Sequence, residues 1–155
     1  MSEESRSLDP WYVTGFCDGE AAFTYSRSPS GGVTVYFSLR QRKDNQDVVL
    51  NIKKFFGDVG NIYFGKEAVP TKNSGHTKES VYFRTTKTGD LENIITHFDE
   101  YQLQGKKREV YLAWKDLVLY KRQHYGNVDK EALENLAGRL SALNQKSRAF
   151  KKHSR

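Results

Sequence analysis

Two acids, Asp18 and Glu20, stand two residues apart near the end of Leu8-Asp-Pro-Trp-Tyr-Val-Thr-Gly-Phe-Cys-Asp-Gly-Glu-Ala-Ala-Phe23. The segment reads as a helix that opens well. Asp9 is a good N-cap, and Pro10 suits the first helical position with its preset φ and missing donor. The far end carries both acids. A helix C-terminus is partially negative, so carboxylates are disfavoured there. Two acids at that end call for a cation, and a bound divalent metal supplies one. Gly15 and Gly19 lie four residues apart on one face of the same helix, and small residues at that spacing let two backbones approach closely. A close-packed helix pair with acids at its tips puts two metal sites side by side.

Positioning these acids falls to the elements that follow. A strand is expected at 21–27 and, after the turn cluster Ser-Pro-Ser-Gly-Gly at 28–32, another at 33–42. The alternation is clear: Val33, Val35, Phe37 and Leu39 face one way, and Thr34, Tyr36, Ser38 and Arg40 the other. Asp44 is placed to cap a helix at 45–56, which Gly57 and Gly60 end. A third strand from Gly60 sends Ile62 and Phe64 inward and Asn61 and Tyr63 outward. After a cationic loop at 69–78, a fourth strand at 80–85 sends Val81 and Phe83 inward and Tyr82 and Arg84 outward. Helices are expected at about 90–98, 106–121 and 129–144. The stripe Leu133, Leu136, Leu140 and Leu143 on the last lasts under two heptads and reads as core, not zipper. The order is helix, hairpin, helix, hairpin, then helices, with no internal repeat and no second domain.

Composition narrows the classes. The chain has 155 residues, enough for one domain with a real core, and a formal net charge of +6. Its pI of about 9.3 favours a polyanionic partner, nucleic acid first. The single cysteine, Cys17, excludes an internal disulfide and fits a reducing compartment. No apolar run approaches membrane-spanning length, and Met-Ser-Glu-Glu-Ser is too acidic for a targeting peptide. An intracellular protein is expected, in a prokaryotic cytoplasm or an organelle. His76, His97, His124 and His153 are scattered without a zinc spacing, and no phosphate loop or nucleophile elbow is present.

Val13-Thr-Gly-Phe-Cys-Asp-Gly-Glu-Ala21 resembles the LAGLIDADG motif of homing endonucleases, in the variant whose second acid is Glu. The element order resembles the same family from about residue 8 to about residue 150. The resemblance implies an α+β fold: an αββαββ core with C-terminal helices and an antiparallel DNA-binding sheet. It divides the chain into a disordered lead at 1–7, one endonuclease domain at 8–145 and a basic tail at 146–155. One motif per chain implies a homodimer paired through Trp11, Gly15 and Gly19, matching a near-palindromic double-stranded DNA site. The implied activity is phosphodiester hydrolysis with Mg²⁺, or another divalent ion such as Mn²⁺, at a long target. Two relatives of other kinds stay open: an intron maturase that binds its own intron RNA, and a DNA-binding protein that has lost cleavage. The intact Asp18-Gly-Glu20 argues against the second.

The resemblance assigns Glu20 to the metal-binding acid, with the Gly19 carbonyl beside it. Asp18 is divided between metal-site support and helix-end structure. Gln41 falls where the family orders a catalytic water, its alternative being an ordinary strand-end residue. Leu103-Gln-Gly-Lys-Lys-Arg108 resembles the segment bearing the family's catalytic-pocket lysine, and Lys106 and Lys107 are not separated. Phe16 and Cys17 are expected in the core under the helix. Strand parity leaves Thr24, Ser26, Thr34, Tyr36, Ser38, Arg40, Tyr63, Tyr82 and Arg84 to face DNA, with Arg27, Arg42 and Lys66 as neighbouring cations. Five of the last ten residues are Lys or Arg, and Lys151 and Lys152 among them are expected on phosphate.

Overall fold

A computed structural model describes residues 8–65 and 79–153, with side chains through residue 145. The lead at 1–7, Lys66, the whole 69–78 loop, and the side chains of Lys151 and Lys152 lie outside the described residues. The chain runs α1 (Pro10–Glu20), β1 (Ala21–Arg27), β2 (Val33–Arg42), α2 (Gln46–Phe55), β3 (Asn61–Gly65), β4 (Ser80–Thr85), α3 (Thr88–Glu100), α4 (Lys107–Gln123) and α5 (Lys130–His153). This is the expected α+β order. The β1, β2 and β4 boundaries fall where alternation places them.

The four strands form one antiparallel sheet in the order β1-β2-β4-β3. Each expected hairpin is present, and β2 joins β4 to close the two into one sheet. The β1–β2 turn uses Gly31 at φ 90°, with Ser28 N–H donating to the Gly32 carbonyl. Gly60, at φ 75°, is required for packing as well as for its turn: a Cβ there would lie 2.4 Å from the Arg84 carbonyl oxygen.

Among the described residues, all five helices lie against one face of the sheet. Val35, Phe37 and Leu39 of β2, Phe23 of β1, and Val81 and Phe83 of β4 are buried there with Ile52, Phe98, Trp114 and Leu117. Phe23 is the hub, with Phe37, Phe98, Tyr111 and Trp114 all edge-on to its ring at 5.1–5.4 Å. The Trp114 indole N–H is satisfied by the Tyr36 carbonyl at 2.9 Å. Truncating Phe23 or Trp114 to Ala would cost about 3–5 kcal/mol. Leu140 is fully buried, and Leu133, Leu136 and Leu143 pack beside it, so the α5 stripe is core as expected.

Three local expectations are corrected. Asp44 does not cap α2. A 3-10 turn over Lys43–Asn45 precedes the helix, and the Asp44 carboxylate is drawn 2.7 Å from Arg42 instead. Phe64 keeps the helical parity of Ile62, yet it is 65% exposed because β3 is an edge strand without cover at that point. The last helix does not end near 144; its backbone continues through His153. Among the described residues, no helix is long and apolar enough to cross a membrane.

Candidate active site and nucleic-acid interface

Asp9 caps α1 as expected, accepting the Trp11 N–H at 2.8 Å, with Pro10 at the first turn. One face of α1 is buried through Val13, Thr14 and Cys17. Burial pushes the Cys17 thiol far up, so it is an inert core residue; Phe16 is half-buried against the same core. The opposite face carries Trp11, Tyr12, Gly15, Gly19 and Glu20, all exposed. A Cβ at Gly15 or Gly19 would meet no heavy atom within 4 Å. Nothing within the described chain explains why this face is stripped of side chains at those two positions.

The two acids at the end of α1 have different surroundings. Asp18 Oδ2 accepts the backbone N–H of Gln104 at 2.8 Å and of Gly105 at 3.0 Å. These amides precede the first turn of α4, whose positive end welcomes a carboxylate. Glu20, the last residue of α1, makes no hydrogen bond or ion pair among the described residues and is exposed. The cations are separated as well. Lys107 is half-buried and its ammonium donates to the Cys17 carbonyl at 3.4 Å, against the negative end of α1. Lys106 precedes the helix and is exposed. Cations are disfavoured at a helix N-terminus, and Lys107 escapes that by turning back to the tip of the neighbouring helix.

Gln41 has the core-side parity of Leu39 and lies two residues past the Ala21–Leu39 pair, where β1 has given way to α1. Its amide is used locally: Nε2 donates to the Arg40 carbonyl at 3.0 Å and Oε1 accepts from Asn45 Nδ2 at 2.9 Å. The register thus brings Gln41 to the same end of the sheet as Asp18, Glu20 and Lys107.

The sheet face away from the helices is open. It carries Thr24, Ser26, Thr34, Tyr36, Ser38, Arg40, Arg42, Tyr63, Tyr82 and Arg84, as parity requires. Two arginines are stacked there. The Arg84 guanidinium lies 3.7 Å from the Tyr36 ring centre and donates to Ser26 Oγ at 3.2 Å. The Arg40 guanidinium lies 4.7 Å from the Tyr82 ring, which itself stacks on Tyr63 at 5.1 Å. A ring beneath a guanidinium restricts it and leaves N–H donors for a bidentate acceptor. Arg27 is the exception to the expected surface. It shares the parity of Phe23 and Tyr25 and points to the helical layer, where both its terminal nitrogens bind Glu134 of α5 at 2.9 and 2.6 Å. Parity alone would have removed it from the reading face.

Other residues went unanticipated. Asn61 and Lys87 line a hollow with Tyr63, Arg84 and Asp90 at the α3 end of the open face. Asn61 had the outward parity to be found; Lys87 lies in a connection, where parity says nothing. Under α1, Thr14 Oγ1 donates to the Tyr101 carbonyl at 2.8 Å, so its lone pair accepts Nε2–H of buried His97 at 3.0 Å. Burial lowers His97 to about 4.

A family model described as LAGLIDADG endonuclease matches residues 13–118. An uncharacterised 50.9 kDa protein in ND4 intron 1 of Podospora anserina is 33% identical over 128 residues, which is 77% of this chain and 26% of that relative. The LAGLIDADG meganuclease I-CpaMI, solved bound to uncleaved DNA, superposes with a TM-score of 0.68 at 26% identity, over 86% of this chain and 43% of that one. The homing endonuclease I-TnaI superposes with a TM-score of 0.70 at 20% identity, over 91% of this chain and 99% of that one. The chain therefore spans about a quarter of the curated relative's length and under half of the DNA-bound structure's.

Proposed function

The chain belongs to the LAGLIDADG endonuclease family, and from that premise we propose that it is a site-specific, divalent-metal-dependent endonuclease for double-stranded DNA, working as a pair of identical subunits. The observation that carries this reading is the tip of α1. Glu20, exposed and without a partner among the described residues, ends a helix whose outer face is left open at Gly15 and Gly19.

The donor set of one chain suits a shared site. Among the described residues no three His, Cys, Asp or Glu side chains cluster as a metal cage. Mg²⁺ does not need one; it takes one or two carboxylates and keeps several waters. Glu20 from each subunit and the Gly19 carbonyl are the ligands proposed, with phosphate oxygens from DNA. A metal so held would activate water and neutralise charge on the scissile phosphate. Lys107, held against the tip of α1, is the cation proposed to stand by the phosphate. Gln41 orders water at the same end of the sheet once its amide turns from Asn45.

The open face reads the target. A two-stranded ribbon fits the major groove, and Arg40 and Arg84 are the side chains suited to guanine. Arg42, Lys66, Lys151 and Lys152 contribute phosphate contacts. Arg27 is not part of this surface.

The test is digestion of a randomised double-stranded DNA library with Mg²⁺, followed by sequencing of the ends. The wild-type protein should generate a discrete family of sites, and EDTA should stop it. Glu20→Gln should bind those sites and leave them uncut, because an amide cannot supply the charge the metal needs. Undiminished cutting by Glu20→Gln would move the active site elsewhere.

A further inference from the structure

We propose that Asp18 is a positioning residue for Lys107 and not a ligand of the metal. The inference rests on the endonuclease reading above for the role of Lys107, and on geometry alone for its placement. Both backbone N–H groups reach the same oxygen, Oδ2, at 2.8 and 3.0 Å. A carboxylate oxygen accepting two N–H bonds has its lone pairs occupied. The other oxygen is covered by the same loop: a Cβ on Gly105 would lie 3.1 Å from Oδ1, so the backbone closes over it because residue 105 has no side chain. Asp18 is accordingly half-buried, whereas Glu20, two residues on, is exposed.

The clamp dictates where α4 begins. Arg108 N–H bonds the Gly105 carbonyl at 3.0 Å, so the first turn of α4 is built directly on the clamped residues. Lys107 lies within that turn, and its ammonium reaches the carbonyl of Cys17, the residue before Asp18. Asp18 thus ties two helix ends together: its carboxylate meets the positive end of α4, and Lys107 meets the negative end of α1. Without the carboxylate, two amides lose their acceptor and the first turn of α4 is free to leave the tip of α1.

The bond pattern supplies a sharp test, because only one oxygen is used. Asp18→Asn retains an amide oxygen with two lone pairs and keeps the clamp; Asp18→Ala removes it. Lysine acylation of the full chain in EDTA, read by mass spectrometry, reports the placement without any catalysis. In the wild type Lys107 should react several-fold more slowly than Lys106. Asp18→Ala should raise Lys107 to the Lys106 rate, and Asp18→Asn should keep it slow. Lys115, bonded to Asp99 at 2.7 Å, reports folding in each variant. A folded Asp18→Ala with Lys107 still protected overturns the proposal. If Asp18→Ala fails to fold, Asp18→Ser decides: its hydroxyl is too short to span both amides, so Lys107 should react at the Lys106 rate, and a Lys107 still protected there overturns the proposal. In cleavage, Asp18→Ala should lower kcat about a hundredfold, the scale of a misplaced catalytic group, with the half-saturating Mg²⁺ concentration unchanged. Asp18→Asn should restore most of the rate. Loss of cutting in Asp18→Asn to the level of Glu20→Gln, with a raised Mg²⁺ requirement, would make Asp18 a ligand. A wild-type protein that cuts no DNA but shows the expected acylation pattern would sink the endonuclease reading and leave the hold on Lys107 standing.

Discussion

Arg27, Arg40 and Arg84 have the same chemistry and different jobs, which shows how little residue type says without its face. The Arg84 guanidinium lies over the Tyr36 ring and is tied to Ser26, and that of Arg40 lies over the Tyr82 ring. A pre-oriented guanidinium loses less entropy on pairing with a base edge than a free one. Substituting Arg40 or Arg84 by Ala should therefore relax base preference at one or two positions per half-site, by about 1–3 kcal/mol each. Tyr36→Leu should weaken the same preference as Arg84→Ala, because it removes the platform and leaves the charge. Arg27→Ala should leave base preference alone, its partner being Glu134 on the helical side. Profiling a randomised site with the four variants side by side checks this. A changed preference in Arg27→Ala, or none in Arg84→Ala, would mean that the open face is not the reading surface.

At the scale of elements, the strands were legible because burial on one face writes period two into Val33, Val35, Phe37 and Leu39. The start of α2 was not, since a 3-10 turn satisfies the first amides and frees Asp44 for Arg42. Nor was the Asp18 clamp: its partners are backbone amides 86 and 87 residues away, and an amide N–H has no sequence signature. The packing of α1 on α3 was hidden for a related reason. His97 looked like one of four scattered histidines, yet it is buried among Phe55, Phe56, Phe98 and Tyr101 and holds Thr14 of α1. Among the described residues no charged group pairs with it, and burial keeps it neutral, lowering it from an ordinary 6.5 to about 4. The unfolded chain binds the proton more readily, so His97 contributes stability above pH 6.5 that is lost as pH falls from 6.5 through about 4. His97→Gln keeps an N–H for Thr14 and cannot titrate. Urea melts of the two proteins from pH 7 to pH 4 should show a steeper decline in the wild type. Parallel curves would mean that His97 does not titrate in this window.

For the whole molecule, one open surface stands out. Trp11 is 54% exposed and Tyr12 47% exposed on α1, beside two glycines with nothing over them. Exposed aromatics next to a backbone bared of side chains suit a second helix of the same kind, and a two-fold axis would bring each Glu20 to the other. Such a pair would present two sheets to one duplex and double the +6 charge that attracts it. Gly15→Leu separates this pairing from folding. Within one chain the new side chain enters open space, and leaving glycine in a helix is worth about 1 kcal/mol in propensity. The variant subunit should therefore melt no lower than the isolated wild-type subunit, while the two helices can no longer approach. Sedimentation equilibrium should find the wild type paired and Gly15→Leu single, and double-strand cleavage should vanish with the pairing. If Gly15→Leu stays paired, α1 is not the interface; if the wild type sediments as a single chain and still breaks both strands, the chain does not work as a pair at all.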